Sequence, residues 1–184
     1  DGFTAVICHE VGHHIGGAPK KTTWMGATWA SNEGQSDYFA TNKCLKLLFE
    51  KEDTLTLHIL AQADLSDPEQ KLVVEECESQ FSDSLEIAIC YRASLAGKSL
   101  ATLLGSLRGK PDVSFSTPDP KVVTKTNHNH PEAQCRLDTY YAGSLCIKGK
   151  DIRPSHSDES TGYCTRKEGL QVGVRPLCWY KPGK

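Results

Sequence analysis

Residues 3–17 read Phe3-Thr4-Ala5-Val6-Ile7-Cys8-His9-Glu10-Val11-Gly12-His13-His14-Ile15-Gly16-Gly17. The spacing predicts a helix over 3–15, with Asp1 near its N-terminus and the paired glycines as a stop. Within it stands His9-Glu10-Val11-Gly12-His13, an HExxH pattern. Residues four apart lie about one helical turn apart on one face, so both imidazoles can reach a single ion. Glu10 points about 100° away around the helix, poorly placed to ligate but able to reach a water beside the metal. The pattern therefore separates ligand from base.

A five-residue pattern arises by chance often enough that a third ligand has to decide the matter. Asn32-Glu33-Gly34-Gln35-Ser36-Asp37 begins a second helix, expected from about Glu33 to Lys51 and capped by Ser31 or Asn32. Glu33 and Asp37 share its face. Glu33 can complete a set of two histidines and one glutamate that leaves a fourth zinc position open. Asp37 can accept a hydrogen bond from the non-ligating nitrogen of a zinc histidine and so fix its tautomer.

HExxH followed by ExxxD resembles the signature of the gluzincin metallopeptidases, and NExxSD is similar to the form in their thermolysin-like members. A metzincin would need a third histidine where Pro19 stands, and no aspzincin run is present. A third element, His130-Pro131-Glu132-Ala133-Gln134-Cys135-Arg136, is similar to the HPxxxxR string of the CAAX prenyl protease group and its minimal soluble relatives. That resemblance implies that His130 helps hold the oxyanion and that Arg136 orients Asp37. His128 is the fallback donor. The resemblance implies one Zn2+ held by His9, His13 and Glu33, Glu10 as general base and acid, and a peptide or protein substrate. A non-catalytic zinc-binding module and an amidase on cell-wall peptides are the alternatives.

The rest of the chain suits a mainly α fold with little β, a zincin-like catalytic domain over residues 1–147. A helical insertion is expected at about 66–110, followed by an irregular tail at 148–184. Residues 17–31 read as a loop, in which Trp24 and Trp29 form a pocket wall or cap the core. Helix Glu33–Lys51 should turn Phe39, Leu45, Leu48 and Phe49 inward. Further helices are expected from Asp67-Pro68-Glu69, from Leu85 to Leu107 with a break or bend near Gly97, and from Pro131 to Ile147. Residues 108–129 read as a long loop with a short strand at Val113–Ser116. His14, His58 and His156 are expected in surface or packing roles, and Tyr140 and Tyr141 in aromatic packing.

Eight cysteines, an even number dispersed over 184 residues with no CxxC pair, predict four disulfides, and Cys8 among them would anchor the motif helix. That count implies an oxidising, extracytoplasmic compartment, secreted or periplasmic. A net charge of −2 gives no reason to expect nucleic acid or an anionic membrane as partner. No stretch approaches the roughly 20 apolar residues of a membrane span. Neither an initiator Met nor a signal sequence precedes Asp1, and the motif helix leaves no room upstream for a supporting β-sheet. An N-terminal segment or propeptide outside this chain is therefore expected.

Overall fold

The computed structural model describes residues 1–110 and 112–183. Seven α-helices form along these residues: α1 (Gly2–Ile15), α2 (Glu33–Phe39), α3 (Leu45–Glu50), α4 (Asp53–Ala61), α5 (Pro68–Gln80), α6 (Ser84–Ser106) and α7 (Ala133–Leu145). A π-helical turn, Ala40–Cys44, joins α2 to α3 so that the two form one rod. Side-chain caps start three helices. Asn32 accepts from the Gln35 N–H (2.8 Å), Asp67 from Glu69 (2.9 Å), and Asp83 from both Leu85 and Glu86 (3.0 Å each). Each such cap contributes about 1 kcal/mol to its helix.

The long helix α6 runs through the middle of the molecule and packs against α1, α3, α4, α5 and α7. Ala5 and Cys8 of α1, Leu45 and Phe49 of α3, Ile89, Tyr91 and Leu100 of α6, and Leu137 and Tyr140 of α7 fill the main core. No break occurs at Gly97. The helix passes unbroken, and the glycine serves close approach instead: a Cβ there would lie 2.4 Å from Cβ of Tyr140 on α7. Leu48, expected inward, is exposed, because the π turn rotates the face that α3 presents.

Three elements depart from the sequence reading. Residues 17–31 are not a plain loop: β1 (Lys20–Thr23) and β2 (Gly26–Ser31) pair antiparallel, Thr22 opposite Ala27 and Thr23 opposite Gly26. Both faces of this hairpin are largely solvated, so no apolar alternation marks it. Trp24 is 92% exposed and Trp29 66% exposed, so neither caps the core. Trp29 lies against His14, with ring centroids 4.8 Å apart. Helix α4 went unread because Leu55, Leu57 and Ile59 alternate as in a strand and its start lacks a side-chain cap. The short strand at Val113–Ser116 does not form.

All eight cysteines pair: Cys8–Cys44, Cys77–Cys90, Cys135–Cys178 and Cys146–Cys164. Cys8–Cys44 ties α1, next to His9, to the end of the π turn. Among its described residues the tail has no regular element beyond a 3-10 turn at Arg166–Glu168, and two disulfides fasten it to α7 and its C-terminal end. The other end of the α2–α3 rod is fixed by polar contacts. Thr41 Oγ1 donates to Tyr140 C=O (2.7 Å), Lys43 Nζ to Gly149 C=O (2.6 Å) and Lys46 Nζ to Cys146 C=O (2.8 Å). Burial pushes the Lys46 ammonium down to about 7.

Candidate metal centre

Helix α1 supplies His9 and His13, and α2 supplies Glu33 and Asp37. The two helices can approach because the residue before His13 is Gly12, where a Cβ would already stand 3.0 Å from the Ser36 backbone. Close contact brings the His9, His13 and Glu33 donor atoms within 4.8 Å of one another. His9 Nε2 lies 3.4 Å and His13 Nε2 3.5 Å from Glu33 Oε2.

Proton positions follow from the outer partners. His9 Nδ1 donates to Asp37 Oδ1 (2.7 Å), and His13 Nδ1 donates to the Ser31 carbonyl (2.9 Å), with the Ser36 hydroxyl 3.0 Å away. A carboxylate and a carbonyl only accept, so in the neutral rings both Nδ1 atoms carry the proton. Both Nε2 atoms then turn lone pairs toward Glu33 Oε2. That oxygen is buried and has no hydrogen-bond partner. Three acceptors facing one another, with only the exposed His130 Nε2 a further 3.3 Å from the shared oxygen, repel unless a cation or a proton lies between them.

The distances suit such a cation. Ligands about 2.0–2.1 Å from a tetrahedral metal stand about 3.3–3.4 Å apart, close to the separations from Glu33 Oε2. Two imidazoles and one carboxylate thus fit a divalent ion of intermediate softness. Without a metal the site draws protons instead. Burial acts to lower His9, but the carboxylates of Asp37 and Glu33 outweigh it and lift the imidazole to about 9. Burial likewise opposes ionisation of Glu33, yet the two imidazoles hold its carboxyl far below the usual range. A bound cation would displace those protons.

Behind the ligands lies a buried polar network. Asp37 is completely buried; Arg136 Nε donates to its Oδ2 (2.8 Å) and Arg136 Nη2 to its Oδ1 (2.5 Å). Tyr140 Oη donates to Asp37 Oδ1 (2.5 Å) and accepts from Arg136 Nη2 (3.1 Å). Burial works against the Asp37 charge, but Arg136 and His9 keep its carboxyl below the ordinary value. Tyr140 is therefore not simple aromatic packing. It stands four residues after Arg136, a same-face spacing that the sequence offered.

His130 sits on the loop before α7, with its side chain 57% exposed and Nε2 3.3 Å from Glu33 Oε2. It is not one of the mutually close donor set. His128 faces Asn32 instead, with Nδ1 3.4 Å from the amide nitrogen. Glu10 is exposed on α1 and makes no hydrogen bond or ion pair among the described residues. Sequence reasoning missed Lys21, whose Nζ lies 3.5 Å from Glu33 Oε1, and the Ser31 carbonyl, a backbone group without a side-chain signature. Asp119, Cys135 and Cys178 also cluster, but both cysteines are spent in a disulfide and offer no thiolate. No family model, curated protein or solved structure matches this chain.

Proposed function

We propose that the chain is a zinc-dependent peptidase in which His9, His13 and Glu33 hold one Zn2+. The observation that carries this reading is the unpartnered, buried Glu33 Oε2 facing two Nε2 lone pairs. Glu10, exposed and adjacent to His9 in the chain, supplies a group that a structural site would not need. Bound zinc supplies Lewis acidity toward a substrate carbonyl and an attacking water. Glu10 takes the proton from that water and later passes it to the leaving amine. His130 Nε2–H donates to the oxygen that gains charge as the carbonyl carbon becomes tetrahedral. Asp37 holds His9 in its Nδ1–H form, and Arg136 with Tyr140 fixes Asp37. The gluzincin-like motif order supports the same assignment, and the four disulfides fit an extracytoplasmic location. No described helix is long and apolar enough to cross a membrane.

A mixed peptide library at neutral pH tests the proposal. Cleavage should appear with the chain as isolated, vanish on treatment with a chelator, and return when Zn2+ is restored. Cleavage that ignores the chelator contradicts it. So does a chain that binds zinc and turns over no peptide, which would be a non-catalytic metal-binding module.

A further inference from the structure

The tail after α7 lacks long regular elements, yet it contributes some of the most deeply buried large side chains: Tyr163, Arg175 and Trp179. Their partners lie on the metal-bearing helices. The Trp179 indole covers Gly34, the residue after Glu33, so closely that a Cβ at 34 would lie 2.3 Å from Cδ2 and 2.5 Å from Cε2. Arg175 Nε donates to Gln35 Oε1 (2.7 Å), and Gln35 Nε2 donates to the Gly16 carbonyl at the end of α1 (2.7 Å). Tyr163 Oη donates to that same carbonyl (2.7 Å). The tail therefore touches the residues that set the angle between α1 and α2.

The same segment also holds the strand of loop that leads to His130. The Leu177 carbonyl accepts from Val123 N–H (3.0 Å) and the Trp179 carbonyl from Asn127 N–H (2.7 Å). Lys181 N–H donates to Thr126 Oγ1 (3.2 Å). Cys135–Cys178 fastens this segment covalently next to Arg136 on one side and Trp179 on the other. Core filling alone would not require glycine beside the carboxylate. Gly34 has no left-handed backbone, and by helix propensity alanine would serve better there. The three atoms nearest such a Cβ all belong to the indole, which excludes it.

We infer that the tail segment Arg175–Lys181 is a positioning clamp for the metal centre. Trp179 acts through Gly34 on Glu33, and through residues 123–127 on His130. The inference rests on the proposed metal site. The tail residues touch no reacting atom, so their effect is on ligand placement.

The test is a two-residue cycle read by Co2+ affinity and by the visible absorption of the bound Co2+, which reports ligand geometry. Gly34→Ala should weaken Co2+ about 10–100-fold, the size of loss typical when a group orienting a ligand is disturbed. In a Trp179→Leu background, where space opens for the new methyl, the same Gly34→Ala change should cost less than threefold. Trp179→Phe takes the place of Trp179→Leu if the latter does not fold; circular dichroism and thiol titration check fold and disulfides. Wild-type affinity in Gly34→Ala, or equal losses in both backgrounds, overturns the clamp. A wild-type chain that binds no Co2+ or Zn2+ would instead remove the metal site itself.

Discussion

Glu10→Gln is expected to lower kcat/KM for peptide cleavage by at least about 10²–10⁴-fold, the range for loss of a positioned general base and acid. Cation affinity should stay within about threefold of wild type, because Glu10 is outside the ligand set and faces solvent. The amide keeps the size of the side chain and removes its ability to take a proton. Since Glu10 has no intramolecular partner among the described residues, stability should hardly change. Steady-state kinetics and zinc titration on the same preparation separate these effects. Equal activity in the variant would remove Glu10 from the reaction. A parallel loss of zinc would place it among the ligands.

Arg136→Leu should be the most destabilising single change near the site. Asp37 is completely buried, and the guanidinium supplies two of its hydrogen bonds and its counter-charge. Removing one partner of a buried ion pair strands the other, at a cost of about 3–5 kcal/mol. Tyr140 and His9 remain to donate to Oδ1, but they do not replace the two guanidinium hydrogen bonds, and with zinc on its Nε2 His9 cannot take up a second proton. Asp37→Asn combined with Arg136→Leu removes both charges and should lose less than Arg136→Leu alone. Urea unfolding at neutral pH measures both. If the single variant loses under 1 kcal/mol, the pair is not the buried ionised contact its distances describe.

What the sequence made legible was local. HExxH and ExxxD each space their residues by one helical turn, so the shared face follows once the helix is recognised. The geometry brings His9, His13, Glu33 and Asp37 together on that basis. The approach of His130 depends on the path of the loop before α7, which no periodicity describes, and on the tail segment that holds it. The pairing of eight cysteines is likewise set by three-dimensional paths and not by spacing. The hairpin at 20–31 escaped notice because solvent covers both its faces. No sequence pattern marks Lys46 and Lys43, yet they are buried and bind the carbonyls of 146 and 149. Tyr140, by contrast, was within reach: its position four residues after Arg136 places it beside the same carboxylate.

The tail shows why composition misleads. Its glycines and prolines indicate irregular backbone, and the backbone is irregular. Irregular backbone can still be densely packed, and Trp179 and Arg175 fill the space against α2.

Equilibrium dialysis against Zn2+ of the wild-type chain and of Glu33→Ala, at the same free zinc concentration, tests the shared metal site most directly. The account predicts one ion per chain for the wild type and none for the variant. No ion in the wild type, or one ion retained without Glu33, would contradict it.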